Sequence, residues 1–192
     1  MLGRFRKGYE EKTLGLGRFF ASLGLTPNAL TILSLIASIF SFYFFYEKNL
    51  LMGFIFILVM ALFDMLDGAV ARATGKITKF GGVLDHVIDR YAEFFIILGL
   101  ILGDYLNWLI GFFALFGMLM ASYVRGKAES IGGLKSCTVG IAERQEKLIL
   151  IMAGVIFFNY NENFLNLLVL IVGVLSHITV AQRLDFARKN IK

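Results

Sequence analysis

Four aspartates in apolar surroundings are the residues of this sequence best suited to chemistry. Asp64 and Asp67 stand three positions apart, and Asp85 and Asp89 stand four apart, so on helices each pair shares one face. An acidic side chain within lipid costs on the order of 3 kcal/mol on insertion scales, so four together need a compensating cation. Carboxylate oxygens are ligands that Mg²⁺ and Mn²⁺ prefer. The pattern predicts a divalent metal site, with Mg²⁺ expected and Mn²⁺ as the alternative.

A network of internal salt bridges with Arg72 and Arg90 is the other explanation for these acids. The four carboxylates outnumber the basic partners within the helices that carry them, which argues against it. Small residues also accompany the acids and would let a ligand or another backbone approach closely. These small residues are Gly68, Ala69, Ala71, Gly81 and Gly82. We therefore favour the metal site.

The elements that position the aspartates are predicted to be transmembrane helices. The chain has 192 residues, is 58% hydrophobic and contains one proline, and its mean hydropathy is +0.75, which no soluble domain of this length requires. Apolar windows of about 20 residues, long enough to cross a bilayer, recur along the chain. The predicted spans are Pro27–Tyr46, Leu50–Ala71, Gly82–Gly103, Leu106–Val124, Val139–Phe158 and Phe164–Gln182. We predict one all-α membrane domain over residues 1–192, with a six-helix bundle over residues 26–192.

The distribution of positive charge predicts the orientation of this bundle. Of the 19 Lys and Arg residues, all except Lys48 fall on one side of the predicted spans, and cytoplasmic loops are enriched in these residues. Both termini and the aspartates are therefore predicted to be cytoplasmic in a multi-pass cell-membrane protein. Residues 1–25 mix basic side chains with Leu and Phe, which predicts an interfacial amphipathic helix. The net charge of +5 suits anionic headgroups or phosphorylated substrates rather than nucleic acid.

Cysteine and histidine usage does not indicate zinc or a disulfide. Cys137 is the single cysteine, and His86 and His177 stand far apart in the sequence. Each histidine is predicted to be a packing or hydrogen-bonding residue.

The acidic segment also carries a family resemblance. The stretch from Asp64 to Arg72, followed after eight residues by the stretch from Gly81 to Asp89, resembles the full signature of the CDP-alcohol phosphotransferases. Every fixed position of that signature is matched, and the predicted six-span topology agrees with the family along nearly the whole chain. The resemblance implies an enzyme that joins an alcohol to the phosphate of a CDP-linked lipid and releases CMP. Two metal ions bridging the diphosphate oxygens would neutralise their charge and stabilise the leaving CMP.

The resemblance implies roles for the four acids. Asp64, Asp67 and Asp85 are implied to be metal ligands. Asp89 is implied to be both a further ligand and the general base for the incoming hydroxyl.

The resemblance also implies a set of contacts with the CDP-linked lipid. These residues are Thr26, Pro27, Asn28, Ala29, Gly68, Arg72 and Thr78. Gly68 would let the cytidine lie against the backbone, and the planar donor fork of Arg72 suits the diphosphate. The segment from Thr26 to Ala29 has a second explanation, because Thr before Pro is also an ordinary helix N-terminus.

A group of basic residues bears on the identity of the acceptor alcohol. These residues are Arg125, Lys127, Arg144 and Arg183, all at predicted cytoplasmic ends of spans. They resemble positions that hold the acceptor phosphate in the subgroup making phosphatidylinositol phosphate or archaetidylinositol phosphate, whose acceptor is inositol 1-phosphate. Lys127 stands where arginine would be equally expected. The alternative is that all four are only positive-inside anchors.

Other functions remain open at the level of sequence. Within the family the acceptor could instead be glycerol 3-phosphate, serine or free inositol, and the lipid tails could be diacyl or archaeal ether chains. A different class is a cation transporter, but all four acids lie near one membrane face, with no comparable acids to complete a path. Membrane lipids are expected to surround the protein. Family analogy also implies a homodimer.

Overall fold

The structure, a computed structural model, describes the backbone of residues 6–191 and the side chains of residues 13–191. Within this range it contains seven α-helices and no strand, which confirms the all-α fold class. The helices are α1 (Arg6–Ser22), α2 (Pro27–Tyr46), α3 (Leu50–Thr74), α4 (Lys79–Leu102), α5 (Trp108–Ser130), α6 (Arg144–Phe157) and α7 (Glu162–Asn190). The first five residues of the predicted interfacial helix lie outside the described part of the chain.

The helix boundaries follow local capping chemistry. Helix α2 has the bounds predicted from the sequence, and the side chain of Thr26 accepts a hydrogen bond from the amide of Ala29 at its start. Helices α3, α5 and α7 continue beyond their apolar runs, because their polar terminal residues still extend the backbone hydrogen bonding.

The fifth predicted span, Val139–Phe158, is wrong at its beginning. Gly140 has a φ of +151°, which a right-handed helix excludes. Glu143 and Glu146 instead form a reciprocal capping box, with the amide of Glu143 donating to Oε2 of Glu146 over 2.9 Å. Helix α6 therefore begins at Arg144, and residues 131–143 form an irregular segment.

Four helices of the described chain are long and apolar enough to cross a membrane, namely α2, α3, α5 and α7. Helix α6 has 14 residues, about 21 Å at the α-helical rise, which is shorter than a hydrocarbon core of about 30 Å. Helix α4 has 24 residues but carries several charged side chains along its first half. The four apolar helices expose many large side chains, such as Phe40, Leu58 and Phe116, as lipid-facing helices do. They indicate a membrane protein, and the predicted six spans are not confirmed.

The described chain divides into two compact units. The first contains α1, the part of α2 up to Phe45 and residues Leu51–Ile96 of α3 and α4. The second contains the short stretch Tyr46–Leu50 and the chain from Ile97 onward. The single domain predicted over residues 1–192 stays a prediction.

The first unit is held together by apolar contacts and by close backbone approach. Leu30, Leu66 and Val70 are buried together, with Phe20 and Phe63 packed against them. Helix α1 approaches α3 closely, because a Cβ atom at Gly17 would overlap the carbonyl group of Ala69. Helices α2 and α3 are joined by a hydrogen bond of 2.9 Å from the Ser41 hydroxyl to the carbonyl of Gly53. These contacts fix α3, which carries the first two aspartates.

The second unit is built around α7, which packs against α5 and α6. Small residues bring these helices together, as Gly117 lies against His177 and Gly154 lies against Leu165. The ring of His177 stacks on Phe113 at 4.6 Å between centroids. This histidine is therefore a packing residue.

One exposed ion pair closes the loops of the second unit. Lys48 and Asp104 both have a left-handed backbone, with φ of 58° and 62°, and Nζ of Lys48 lies 2.8 Å from Oδ2 of Asp104. The hydrogen bond that Lys48 donates to this carboxylate, and then the charge of the carboxylate, raise the pKa of Lys48 above its ordinary value. The pair is fully solvated, so we assign it a minor contribution to stability.

Candidate active site

Three of the four aspartates come together between α3 and α4 of the first unit. One carboxylate oxygen each from Asp64, Asp85 and Asp89 lies within 4.8 Å of the others. Mg²⁺ binds oxygen at about 2.0–2.1 Å, so two ligands on opposite sides of one ion are roughly 4 Å apart. The three side chains offer only hard carboxylate oxygens, the donors that suit Mg²⁺ or Mn²⁺. The donor set therefore suits a divalent metal centre, and the three oxygens already lie close to the separations that one ion requires.

Asp67 lies beside this group and is held separately. Its side chain is 8% exposed, and its Oδ2 accepts a hydrogen bond of 2.6 Å from the hydroxyl of Thr31. The charges of Asp85 and Asp64 act on this carboxylate. Asp67 is therefore near the cluster, but it is not one of the three aspartates whose oxygens lie within 4.8 Å of one another. Its role as a metal ligand stays a prediction.

A buried ion pair lies next to the cluster on α4. Nη2 of Arg90 is 2.7 Å from Oε1 of Glu93, whose side chain is 5% exposed. The same nitrogen is 3.8 Å from Oδ2 of Asp89. Arg90 thus partly compensates two acids, and the ion-pair explanation considered for the sequence is realised here for Asp89.

The arginine and glycine of the acidic signature lie in contact. A Cβ atom at Gly68 would stand 3.0 Å from Nη1 of Arg72, so the guanidinium lies across the glycine. The Nε of Arg72 is buried and has no hydrogen-bond partner among the residues that the structure describes. Such a donor costs free energy until an acceptor is present. An anionic oxygen at this place would satisfy it.

The remaining predicted CDP-lipid contacts gather at two helix starts in the same unit. The hydroxyl oxygen of Thr78 caps α4 by accepting a hydrogen bond of 2.9 Å from the amide of Gly81. A Cβ atom at Gly81 would lie 3.3 Å from Oδ1 of Asn28, so the start of α2 lies beside the start of α4. Thr26 caps α2. Both threonines therefore have structural roles, while Asn28 and Thr78 lie together as one polar group.

The predicted acceptor-phosphate residues lie in the second unit. Arg183 on α7 donates from Nε to the carbonyl of Val139 over 3.0 Å and from Nη1 to the carbonyl of Ala121 over 2.5 Å. Ala121 lies one helical turn before Arg125 on α5, so Arg183 contacts α5 one turn from Arg125. The role of both arginines with the acceptor stays a prediction. Arg144 is the first residue of α6.

The other basic residue of this set is placed differently. Lys127 lies two positions after Arg125, about 200° around the helix. Its Nζ lies 5.5 Å from the ring centroid of Tyr123, and its side chain lines a groove with Leu184 and Ile191 of the α7 end. The structure does not group Lys127 with Arg125, and its role with the acceptor stays a prediction.

Glu129 contacts one of the predicted acceptor residues, and sequence reasoning did not predict this contact. Its Oε1 lies 3.0 Å from Nε of Arg125 and also accepts a 2.9 Å hydrogen bond from the amide of Cys137. It therefore ties the irregular segment 131–143 to the arginine on α5. The spacing of four residues from Arg125 was the available signal. Thr31 was also missed, because nothing in its local sequence names a partner on α3.

The fold and the site together define a class of protein. Apolar helices carrying convergent carboxylates and a buried arginine donor are typical of membrane proteins that bind a divalent cation and a phosphate group.

The comparison with known families gives the class a name. Residues 24–181 match the profile of the CDP-alcohol phosphatidyltransferase family. The chain belongs to this family of CDP-alcohol phosphotransferases and is a transferase, as its acidic signature predicts. Family membership sets the transporter alternative aside.

Named relatives cover almost all of the chain. The archaetidylinositol phosphate synthase of Pyrococcus horikoshii is 40% identical over 192 residues, which are 100% of this chain and 99% of that protein. The crystal structure of Mycobacterium tuberculosis phosphatidylinositol phosphate synthase with CDP-DAG bound is 31% identical, with a TM-score of 0.81, covering 91% of this chain and 92% of that chain. The same synthase in complex with manganese and citrate is 30% identical, with a TM-score of 0.81, covering 92% and 88%.

Proposed function

We propose that this chain transfers the phosphatidyl or archaetidyl group of a CDP-linked lipid to inositol 1-phosphate and releases CMP, as a step of phospholipid biosynthesis. The observation that carries the proposal is the convergence of Asp64, Asp85 and Asp89. The similarity to synthases named for archaetidylinositol phosphate and phosphatidylinositol phosphate supports the choice of acceptor.

The four aspartates hold the metal in this proposal. Asp64, Asp67, Asp85 and Asp89 bind two Mg²⁺ ions, with Mn²⁺ as a substitute, in line with the manganese complex of the similar synthase. A divalent metal held by these aspartates would supply positive charge to the diphosphate and to the leaving CMP. Because the donors are all carboxylates, softer metals are disfavoured.

The CDP moiety is bound by the residues of the acidic signature and the two helix starts. Gly68 admits the cytidine, and Arg72, whose buried Nε finds no partner among the described residues, donates to the diphosphate. Asn28 and Thr78 form a second polar contact beside Gly81. Pro27 and Ala29 complete this contact at the α2 start. The CDP-DAG complex of the similar synthase supports this class of substrate.

Asp89 then acts as the general base. It takes the proton of the acceptor hydroxyl while the hydroxyl oxygen forms a bond to the lipid-side phosphorus. The bond from that phosphorus to the bridging oxygen breaks, and CMP leaves with this oxygen. Nη2 of Arg90 lies 3.8 Å from Oδ2 of Asp89 and places a positive charge beside the proposed base.

The phosphate of the acceptor is held by Arg125, Lys127, Arg144 and Arg183. Arg183 is fixed by two backbone carbonyls, and Arg125 is fixed by Glu129, so both guanidinium groups are preorganised. We further propose six transmembrane spans, with α4 and α6 completing the bundle, and an interfacial α1. Both termini and the site face the cytoplasm, and the enzyme works as a homodimer.

The experiment is an assay of CMP release from CDP-lipid with a panel of acceptors. Purified protein is supplied with Mg²⁺, with CDP-diacylglycerol or its archaeal ether counterpart, and with inositol 1-phosphate, glycerol 3-phosphate, serine or free inositol. We expect metal-dependent turnover with inositol 1-phosphate and little with the others. Equal turnover with free inositol would overturn the proposed acceptor while leaving the family assignment intact.

A further inference from the structure

Thr31 makes a hydrogen bond that the helix it belongs to does not require. It lies one turn into α2 and is 4% exposed. Its hydroxyl is 2.6 Å from Oδ2 of Asp67 on α3 and 3.1 Å from the carbonyl oxygen of Pro27 on its own helix. A threonine hydroxyl has one hydrogen to donate. The shorter contact, to the carboxylate oxygen, is the stronger of the two.

Neighbouring hydroxyls on the same helix behave differently. The Ser34 hydroxyl donates to the carbonyl of Thr31, and the Ser38 hydroxyl donates to the carbonyl of Leu35. Both bonds are 2.7 Å long and lie within α2. This local bonding is the ordinary way for a helical hydroxyl to be satisfied. Thr31 has the same option at Pro27, yet its closest partner is a carboxylate of another helix. The bond is therefore explained by Asp67 and not by the needs of α2.

We propose that Thr31 is a positioning residue of the metal centre, which holds Oδ2 of Asp67 and leaves Oδ1 as its ligand atom. The inference rests on the proposed function, because it takes Asp67 as a metal ligand. A carboxylate of this kind has two equivalent oxygens and a free torsion, and a donor on one oxygen removes that freedom. Since Thr31 also lies at the carbonyl of Pro27, it links the CDP-lipid contact at the α2 start to the acidic cluster.

The test compares three single variants of the full-length protein. Thr31→Val keeps the shape and removes the hydroxyl, Thr31→Ser keeps the hydroxyl, and Ser38→Ala removes a buried hydroxyl that bonds only within α2 in the described contacts. Mn²⁺ affinity is measured without substrate, by the electron paramagnetic resonance signal of the free ion. Loss of an outer-shell partner lowers metal affinity by about 10–100-fold. We expect that loss for Thr31→Val, and near wild-type affinity for Thr31→Ser and Ser38→Ala.

A second readout separates positioning from folding. At high Mn²⁺ the CMP release of Thr31→Val should recover towards the wild-type rate, because the metal site is weakened and the base is intact. If Thr31→Val fails to fold, Thr31→Ala takes its place in the test. This variant leaves space beside the carboxylate instead of a methyl group, and it should show the same weakened Mn²⁺ binding. The inference is overturned if Thr31→Val and Thr31→Ala bind Mn²⁺ within twofold of the wild-type affinity. It is also overturned if Ser38→Ala loses as much Mn²⁺ affinity as they do. A wild-type protein that does not bind Mn²⁺ overturns the metal centre itself.

Discussion

Arg90 lies 2.7 Å from Glu93, one turn further along α4, and forms with it an ion pair that is largely removed from solvent. Carboxylates at such depth are costly unless they are paired, and this guanidinium also lies 3.8 Å from Asp89. Arg90 therefore places a positive charge between Glu93 and the Asp89 end of the carboxylate cluster.

The first prediction concerns the stability of this pair. Arg90→Gln removes the guanidinium that pairs with the buried Glu93 carboxylate. We expect the loss of this pair to lower the free energy of unfolding by about 3–5 kcal/mol. Thermal unfolding of the purified protein in detergent measures the loss. The double variant Arg90→Gln with Glu93→Gln should recover most of it. A double variant no more stable than Arg90→Gln alone would show that the ion pair is not the cause.

The second prediction concerns the metal ligands. Asp64→Asn, Asp67→Asn and Asp85→Asn should each abolish CMP release by weakening metal binding, while the protein still inserts and folds. Asp104→Asn is the matched control, because Asp104 pairs with Lys48 outside the cluster and should leave turnover unchanged. Near-normal turnover of the three cluster variants at low Mg²⁺ would contradict the metal centre.

The third prediction separates the base from the ligands. Asp89→Asn should lose about 10²–10⁴ in single-turnover rate beyond any loss of metal affinity, because a general base contributes that much. Asp85→Asn serves as the comparison, since raising the metal concentration should restore part of its rate and should not restore that of Asp89→Asn. Rates and metal affinities that fall in strict proportion in both variants would remove Asp89 from the role of base.

The fourth prediction tests the acceptor pocket. Arg144→Gln should raise the KM for inositol 1-phosphate about tenfold or more and leave the KM for CDP-lipid nearly unchanged, because a charge-assisted bond to phosphate contributes roughly 1.5–3 kcal/mol. Arg183→Gln should do the same and also lower stability, because it loses its bonds to Val139 and Ala121. Lys189→Gln, which neutralises an exposed cation of α7, is the control. Equal effects in all three would favour positive-inside anchoring.

The acidic cluster could be predicted from the sequence because charge in lipid is rare and its spacing is informative. Asp85 and Asp89 fall on one face of α4 at helical spacing, and the short connection to α3 brings Asp64 opposite them. The start of α2 was equally readable, since Thr26 before Pro27 is a local cap signal. These features depend on neighbours in sequence.

Features that depend on tertiary contacts escaped the sequence. The start of α6 was placed too early because Val139 and Ile141 extend its apolar run, whereas the φ of Gly140 and the Glu143 capping box stop the helix. The hydrogen bond of Asp67 to Thr31 joins residues 36 positions apart. Hydropathy contains no information about such a partner. The sequence therefore predicted one metal site of four carboxylates, whereas the structure groups three of them and pairs Asp67 with Thr31.

The amide of Cys137 donates a hydrogen bond to Glu129, so the reactivity of the Cys137 thiol reports on the position of segment 131–143. Cys137 is the single cysteine of the chain and is fully buried, so a thiol reagent reaches it only when the segment moves away from α5. Because Glu129 also binds Arg125, we expect a ligand that engages this arginine to change the alkylation rate at Cys137. If Arg125 binds the acceptor as proposed, labelling of the native protein would follow the occupancy of this site, with no engineered cysteine.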